Sequence, residues 1–184
     1  ALVQNTASGW SCIAVAPSYK AFITQASGQA WDPEQKATGS RPDPAALLQA
    51  SQQLANAEVS CVSVDMPLAT TPITRRRAAD TAISSRFGPK GCAVHSPSAE
   101  RPGAIADQLR ADFAALGYPL HTNGNEQAAP ALIECYPHVA LLALLKPNYR
   151  VPYKVSRSGK YWKAEKLTRS ERIERLLKQF QEIK

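Results

Sequence analysis

The sequence predicts an α/β protein: a mixed sheet, part antiparallel meander and part parallel, flanked by helices. Three observations lead there. Short apolar segments crowd the first 25 residues. Two further apolar segments, near residues 60 and 132, stand far apart in the chain, and the stretches between and after them carry helix start and stop signals. Strands close in sequence favour hairpins, whereas strands separated by helices favour parallel pairing. At 184 residues the chain fits one domain, large enough to hide roughly 70% of its unfolded surface.

Residues 1–3 and 12–16 are the first strand candidates, separated by a polar stretch from Asn5 to Gly9, and 21–24 is a third after a turn at Pro17-Ser18. Residues 26–44, rich in Gly, Ser, Pro and Asp, read as loop. Asp43 as N-cap and Pro44 at the first helical position predict a helix to about Ala55, with Leu47, Leu48 and Leu54 on one side. Residues 59–64, short and rich in β-branched valine, form a largely buried strand that Pro67 stops, leaving Asp65 at its carboxyl end. Helices follow over 73–87, closed by Gly88-Pro89, and over 104–116, closed by Gly117. A short strand at 131–133 carries Glu134 at its end, and Pro137 opens a helix through Leu145 that Pro147 ends. Thr168 with Glu171 forms a capping box for a last helix whose apolar side is Ile173, Leu176, Leu177 and Phe180.

Bulk properties narrow the class. No apolar run approaches the roughly 20 residues of a membrane span, and the longest, at 139–145, reads as buried. The first 20 residues lack a signal peptide's basic start and apolar block; the chain begins at Ala1, as a processed or trimmed form would. Cys12, Cys61, Cys92 and Cys135 make no CxxC or Cys/His pattern and read as buried small hydrophobes, which points to a reducing, cytoplasmic setting. The net charge of +7 is uneven: residues 1–145 hold 10 Lys/Arg and 11 Asp/Glu, and residues 146–184 hold 12 and 4. That basic end is either a docking surface for a polyanion such as nucleic acid or a solubilising tail.

Asp65 and Glu134 are the candidate catalytic pair. Ligands of open α/β sheets bind at the carboxyl ends of strands, and oxygen donors from two or three carboxylates suit Mg²⁺ or Mn²⁺ in phosphodiester cleavage. The alternative is that each caps the helix after it. Arg76 and Arg77 lie four and three residues before Asp80, so an ion pair is within reach on a helix. An arginine there can grip a phosphate with Asp80 orienting it, or the run can be a solvated face. His138 follows Glu134 closely enough to face the same crevice. Tyr153-Lys154 belongs to a segment that interleaves rings with charge, fit for phosphates and bases or for packing with lysines turned outward. No GxxxxGK[ST], GxSxG, HExxH or GxGxxG is present.

Several of these segments together resemble the prokaryotic family known as domain of unknown function 429, described as predicted nucleases with an RNase H fold. The matching pieces are Gly9-Trp10, Val64-Asp65-Met66-Pro67-Leu68, the Arg77 to Asp80 stretch, Ser96-Pro97-Ser98, Glu134-Cys135-Tyr136-Pro137-His138 and Tyr153-Lys154, in the family's order. The resemblance implies an RNase H-like domain over 1–155; the basic helical extension expected at 156–184, packed on the same domain, is not part of the resemblance. It implies a metal-dependent hydrolase with Asp65 and Glu134 holding the ion and Asp80 as a third carboxylate; Arg76, Arg77, His138, Tyr153 and Lys154 are the candidates toward substrate from their positions in the sequence. The family's first-strand aspartate lies five residues before its Gly-Trp pair. Here that position is Gln4, whose amide oxygen can touch a metal but brings no charge. A catalytically inactive nucleic-acid-binding protein using the basic carboxy-terminal face is the alternative.

Overall fold

The computed structural model describes residues 1–32, 35–122 and 130–183. Pro33 and Glu34, inside the expected loop, and Lys184, at the end of the expected extension, lie outside the described residues. In chain order the elements are β1 (Leu2–Thr6), β2 (Gly9–Ala14), α1 (Tyr19–Ala26), α2 (Pro44–Ala55), β3 (Cys61–Val64), α3 (Ala78–Phe87), α4 (Ala104–Ala115), β4 (Ala131–Glu134), α5 (Pro137–Leu145), α6 (Ser158–Tyr161) and α7 (Arg169–Ile183). The protein is mixed α/β, with an antiparallel β1–β2 pair and a parallel β3–β4 pair. Its residues gather into two units, Ala1–Pro72 with Ala99–Glu134 and Ile73–Ser98 with Cys135–Lys184. The boundary expected after residue 155 falls inside the second.

In the first unit, β1 and β2 close through a tight turn in which Gly9 holds φ +108, a conformation that favours glycine. The Thr6 hydroxyl donates to the Gly9 carbonyl at 2.9 Å. The expected third meander strand is instead the helix α1. Ser18 Oγ accepts from the Ala21 N–H at 3.1 Å, and Tyr19, Phe22, Ile23 and Ala26 recur at helical spacing. With that segment helical, the described strands form two two-stranded sheets rather than one mixed sheet. Ala14, Phe22 and Ala50 bury together where α1 meets α2.

α2 begins as its sequence requires, with Asp43 Oδ1 accepting from the Ala46 N–H at 3.1 Å and Pro44 in the first turn. Asp43→Ala is expected to cost about 1 kcal/mol, read as a lowered urea midpoint at unchanged m-value. Leu48, Leu68, Leu109, Phe113, Tyr118 and Leu132 form the main core. The Tyr118 hydroxyl reaches out of that core to donate to the Val59 carbonyl at 2.7 Å. β4 is an inner strand: β3 pairs with one edge, and Leu120 bridges to Leu132 on the other.

In the second unit α3 starts at Ala78, five residues later than expected, because Arg77 is held in extended backbone as its N-cap. α5 and α7 pack together, and α7 carries the expected Thr168–Glu171 capping box. Burial is thinner than the apolar pattern predicts. Leu142 and Leu176 are buried, but Leu144, Ile173, Leu177 and Phe180 are exposed, because the helix contact covers a stripe narrower than the apolar side. The cysteines divide likewise: Cys92 is buried, Cys61 and Cys135 are half-buried, and Cys12 is exposed on the same face of the hairpin as Val3 and Trp10; all four are free thiols. No described helix is long and apolar enough to cross a membrane.

Candidate functional site

The parallel register pairs Val64 with Glu134, so β3 and β4 end side by side and Asp65 follows immediately. The pattern behind this is simple. Val62 and Val64 pack on the core while Ser63 is exposed, and Leu132, opposite Val62, is fully buried. Once these apolar positions are fixed, a one-residue slip would turn them all outward. Both strand-end carboxylates are exposed. Their surroundings differ. Glu134 Oε2 accepts from the Leu68 N–H at 2.9 Å and so fixes the turn that leaves β3. Asp65 makes no hydrogen bond or ion pair with any described residue.

Asp65 also lines a cleft of about 620 Å³ that the sequence did not announce. Residues 61–66 form one wall, along the edge of β3 that no described strand pairs with. Leu2, Phe22, Leu47, Leu48 and Phe113 supply much of the remainder. Glu134 is not among its walls. Gln4 lies half-buried on β1 opposite Ser11, in a different sheet from β3, which Asp65 follows.

The other candidates belong to the second unit, and they are committed to holding it together. Asp80 is 3% exposed. Its Oδ2 accepts from Arg77 N–H and Nε at 2.9 and 3.0 Å, and its Oδ1 from Arg77 Nη2 at 2.6 Å. Burial pushes the Asp80 carboxyl up, but the hydrogen bonds and charge of Arg77, aided by Arg76, outweigh it and hold the group below its ordinary value. Arg76 donates to the Asp80 carbonyl, the Ser84 and Ser96 hydroxyls and the Val94 carbonyl, tying α3 to the segment after it. Neither the solvated helix face nor the phosphate fork describes these three residues. Their spacing predicted the ion pair, but it forms across a helix start rather than along a helix side.

His138 is buried, tilted against Tyr153 at 4.9 Å and edge-on to Tyr136 at 5.8 Å. Lys154 sits over the Tyr153 ring, Arg150 over Tyr161 and Arg175 over Trp162, so the rings of the basic segment largely meet cations of the same segment. Many cations remain exposed, among them Arg157, Lys160, Lys163, Lys166, Arg169 and Lys178.

Among the described residues no group of three or more His, Cys, Asp or Glu side chains is arranged to hold a metal ion. Two carboxylates alone would leave most of a Mg²⁺ or Mn²⁺ ion's coordination sphere to water.

Fold and site together define a mixed α/β protein with a carboxylate, Glu134, at the end of one strand of a parallel pair and another, Asp65, just past the end of its partner. The family model described as "Protein of unknown function (DUF429)" matches residues 5–183, and the chain belongs to that family. The match runs past residue 155, so the basic carboxy-terminal helices are part of the family's pattern. No curated protein and no solved structure matches the chain.

Proposed function

We propose that the chain is a divalent-metal-dependent phosphodiesterase or nuclease of RNase H-like fold, with Asp65 and Glu134 as the protein ligands. The observation that carries this reading is that β3 and β4 end together in parallel register, with Glu134 opposite Val64 and Asp65 one residue beyond it. A hairpin followed by parallel strands with helices between them supports the RNase H-like arrangement. A bound ion supplies a Lewis acid and a more acidic water. Asp65, exposed and unengaged, is the ligand free to turn; Glu134 is oriented by the Leu68 N–H. The exposed cations of residues 157–178 attract a polyanionic substrate.

Labelled single-stranded, duplex and hybrid nucleic acids incubated with Mn²⁺ or Mg²⁺ test this. Cleavage is expected from the native chain and background only from Asp65→Asn and Glu134→Gln. Cleavage that survives both substitutions rejects the assignment. A second reading, an inactive protein that binds nucleic acid through its basic face, is favoured by Gln4 on β1 and by the Arg77 bonds that occupy both Asp80 oxygens. It is supported if binding falls steeply with salt while no variant, native included, cleaves.

A further inference from the structure

We infer that the cleft beside β3 is a binding site for a small organic cation, an apolar body carrying an ammonium-type head that seats on Asp65. This goes beyond the metal reading, although both use Asp65. The cleft's volume, about 620 Å³, falls within the range of small-molecule pockets, which are mostly apolar with a few convergent polar groups. Leu2, Phe22, Leu47, Leu48, Val62 and Phe113 give walls that an aliphatic or aromatic body can cover.

The polar side is what selects the ligand. Asp65 is the one charged side chain among the described residues of the lining, and no Lys, Arg or His accompanies it. It has no partner to give up on binding. A carboxylate or phosphate ligand entering this cleft would lose water beside a negative group with no cationic side chain to receive it, the α-amino group of Ala1 being the one cation of the described lining, which is unfavourable. An ammonium meets the reverse: a charge-assisted hydrogen bond to Asp65, with the backbone edge of β3 that no described strand pairs with available for its remaining donors. Phe22 and Phe113 add apolar area to the lining. Lone Ser and Thr hydroxyls in the lining are less selective. Ser18 already accepts from the Ala21 N–H, and Ser51 donates to the Leu47 carbonyl.

The test uses octylammonium, octan-1-ol and octanoate as probes, with binding followed by calorimetry and amide NMR shifts in chelator-treated buffer. Octylammonium is expected to bind about tenfold tighter than the alcohol, with octanoate weakest. Asp65→Asn, at an exposed and unpartnered position, should leave alcohol binding intact and erase the ammonium preference. Ser63→Trp, on the exposed face of the same wall, should weaken all three probes together. Because Ala1 also lines the cleft, the order should persist with the α-amino group acetylated. Glu134→Gln separates this site from the metal reading: it removes a metal ligand but not a cleft residue, so probe binding should be unchanged while Mn²⁺ binding falls. Octanoate binding as tightly as octylammonium, a preference that survives Asp65→Asn, or no binding of any probe overturns the inference.

Discussion

Asp80→Ala is expected to lower the unfolding free energy by about 3 kcal/mol. Asp80 is almost wholly buried, and its two oxygens receive three hydrogen bonds from Arg77. Removing it leaves the Arg77 guanidinium, 18% exposed in its side chain, short of its carboxylate, and leaves the N-cap amide of α3 without an acceptor. Because Arg77 retains some contact with water, the loss lies at the lower end of what breaking a buried ion pair costs. Asp80→Asn should cost less, since an amide oxygen can still accept from the Arg77 N–H. Urea unfolding at neutral pH measures both, and pairing Asp80→Ala with Arg77→Met should recover part of the loss, because the stranded charge goes too. A change under 1 kcal/mol would show that the pair adds little to the unit it closes. The carboxyl is held below its ordinary value when folded, so its contribution is complete above that ordinary value and fades as pH falls through the folded one.

What the sequence made legible was governed by local chemistry. Asp43-Pro44, Thr168 with Glu171, Pro137 and Gly117 each mark a helix end through a cap, a fixed φ or a permissive one, and each marks the observed end within a residue. The strand ends at Asp65 and Glu134 were readable because short apolar runs set the register of a buried parallel pair. What failed was ambiguous locally or decided at long range. Residues 21–24 are too short an apolar run to distinguish strand from helix; the deciding signal was Ser18, three residues before the amide it caps. The helix expected from residue 73 begins at Ala78 because Asp80 draws Arg77 into the capping position. The cleft had no local signal at all, since its walls come from β1, α1, α2, β3 and α4.

His138 should make the protein lose stability on mild acidification, by about 3 kcal/mol in total between neutral pH and pH 4. Burial lowers its pKa to about 4 from 6.5, reinforced by the positive charges of Lys154, Arg150 and Arg157. Its place in the first turn of α5 adds the positive end of the helix dipole. Nδ1 is buried with no hydrogen-bond partner among the described residues, so nothing local rewards protonation. The unfolded chain takes up a proton near pH 6.5 and the folded chain resists until about 4. The contribution is therefore whole above 6.5 and drains away as pH falls toward 4. His138 packs between Tyr136 and Tyr153. His138→Phe keeps an aromatic ring against both tyrosines and removes the unpaired nitrogen. Native minus variant unfolding free energies, measured from pH 7.5 to 4, should isolate the histidine from the carboxylates that titrate in the same range. That difference should fall steadily below pH 6.5 and leave the variant the more stable protein in acid. A flat difference would mean that the imidazole takes up its proton in the folded state as readily as in the unfolded one, and that the surrounding cations are screened from it.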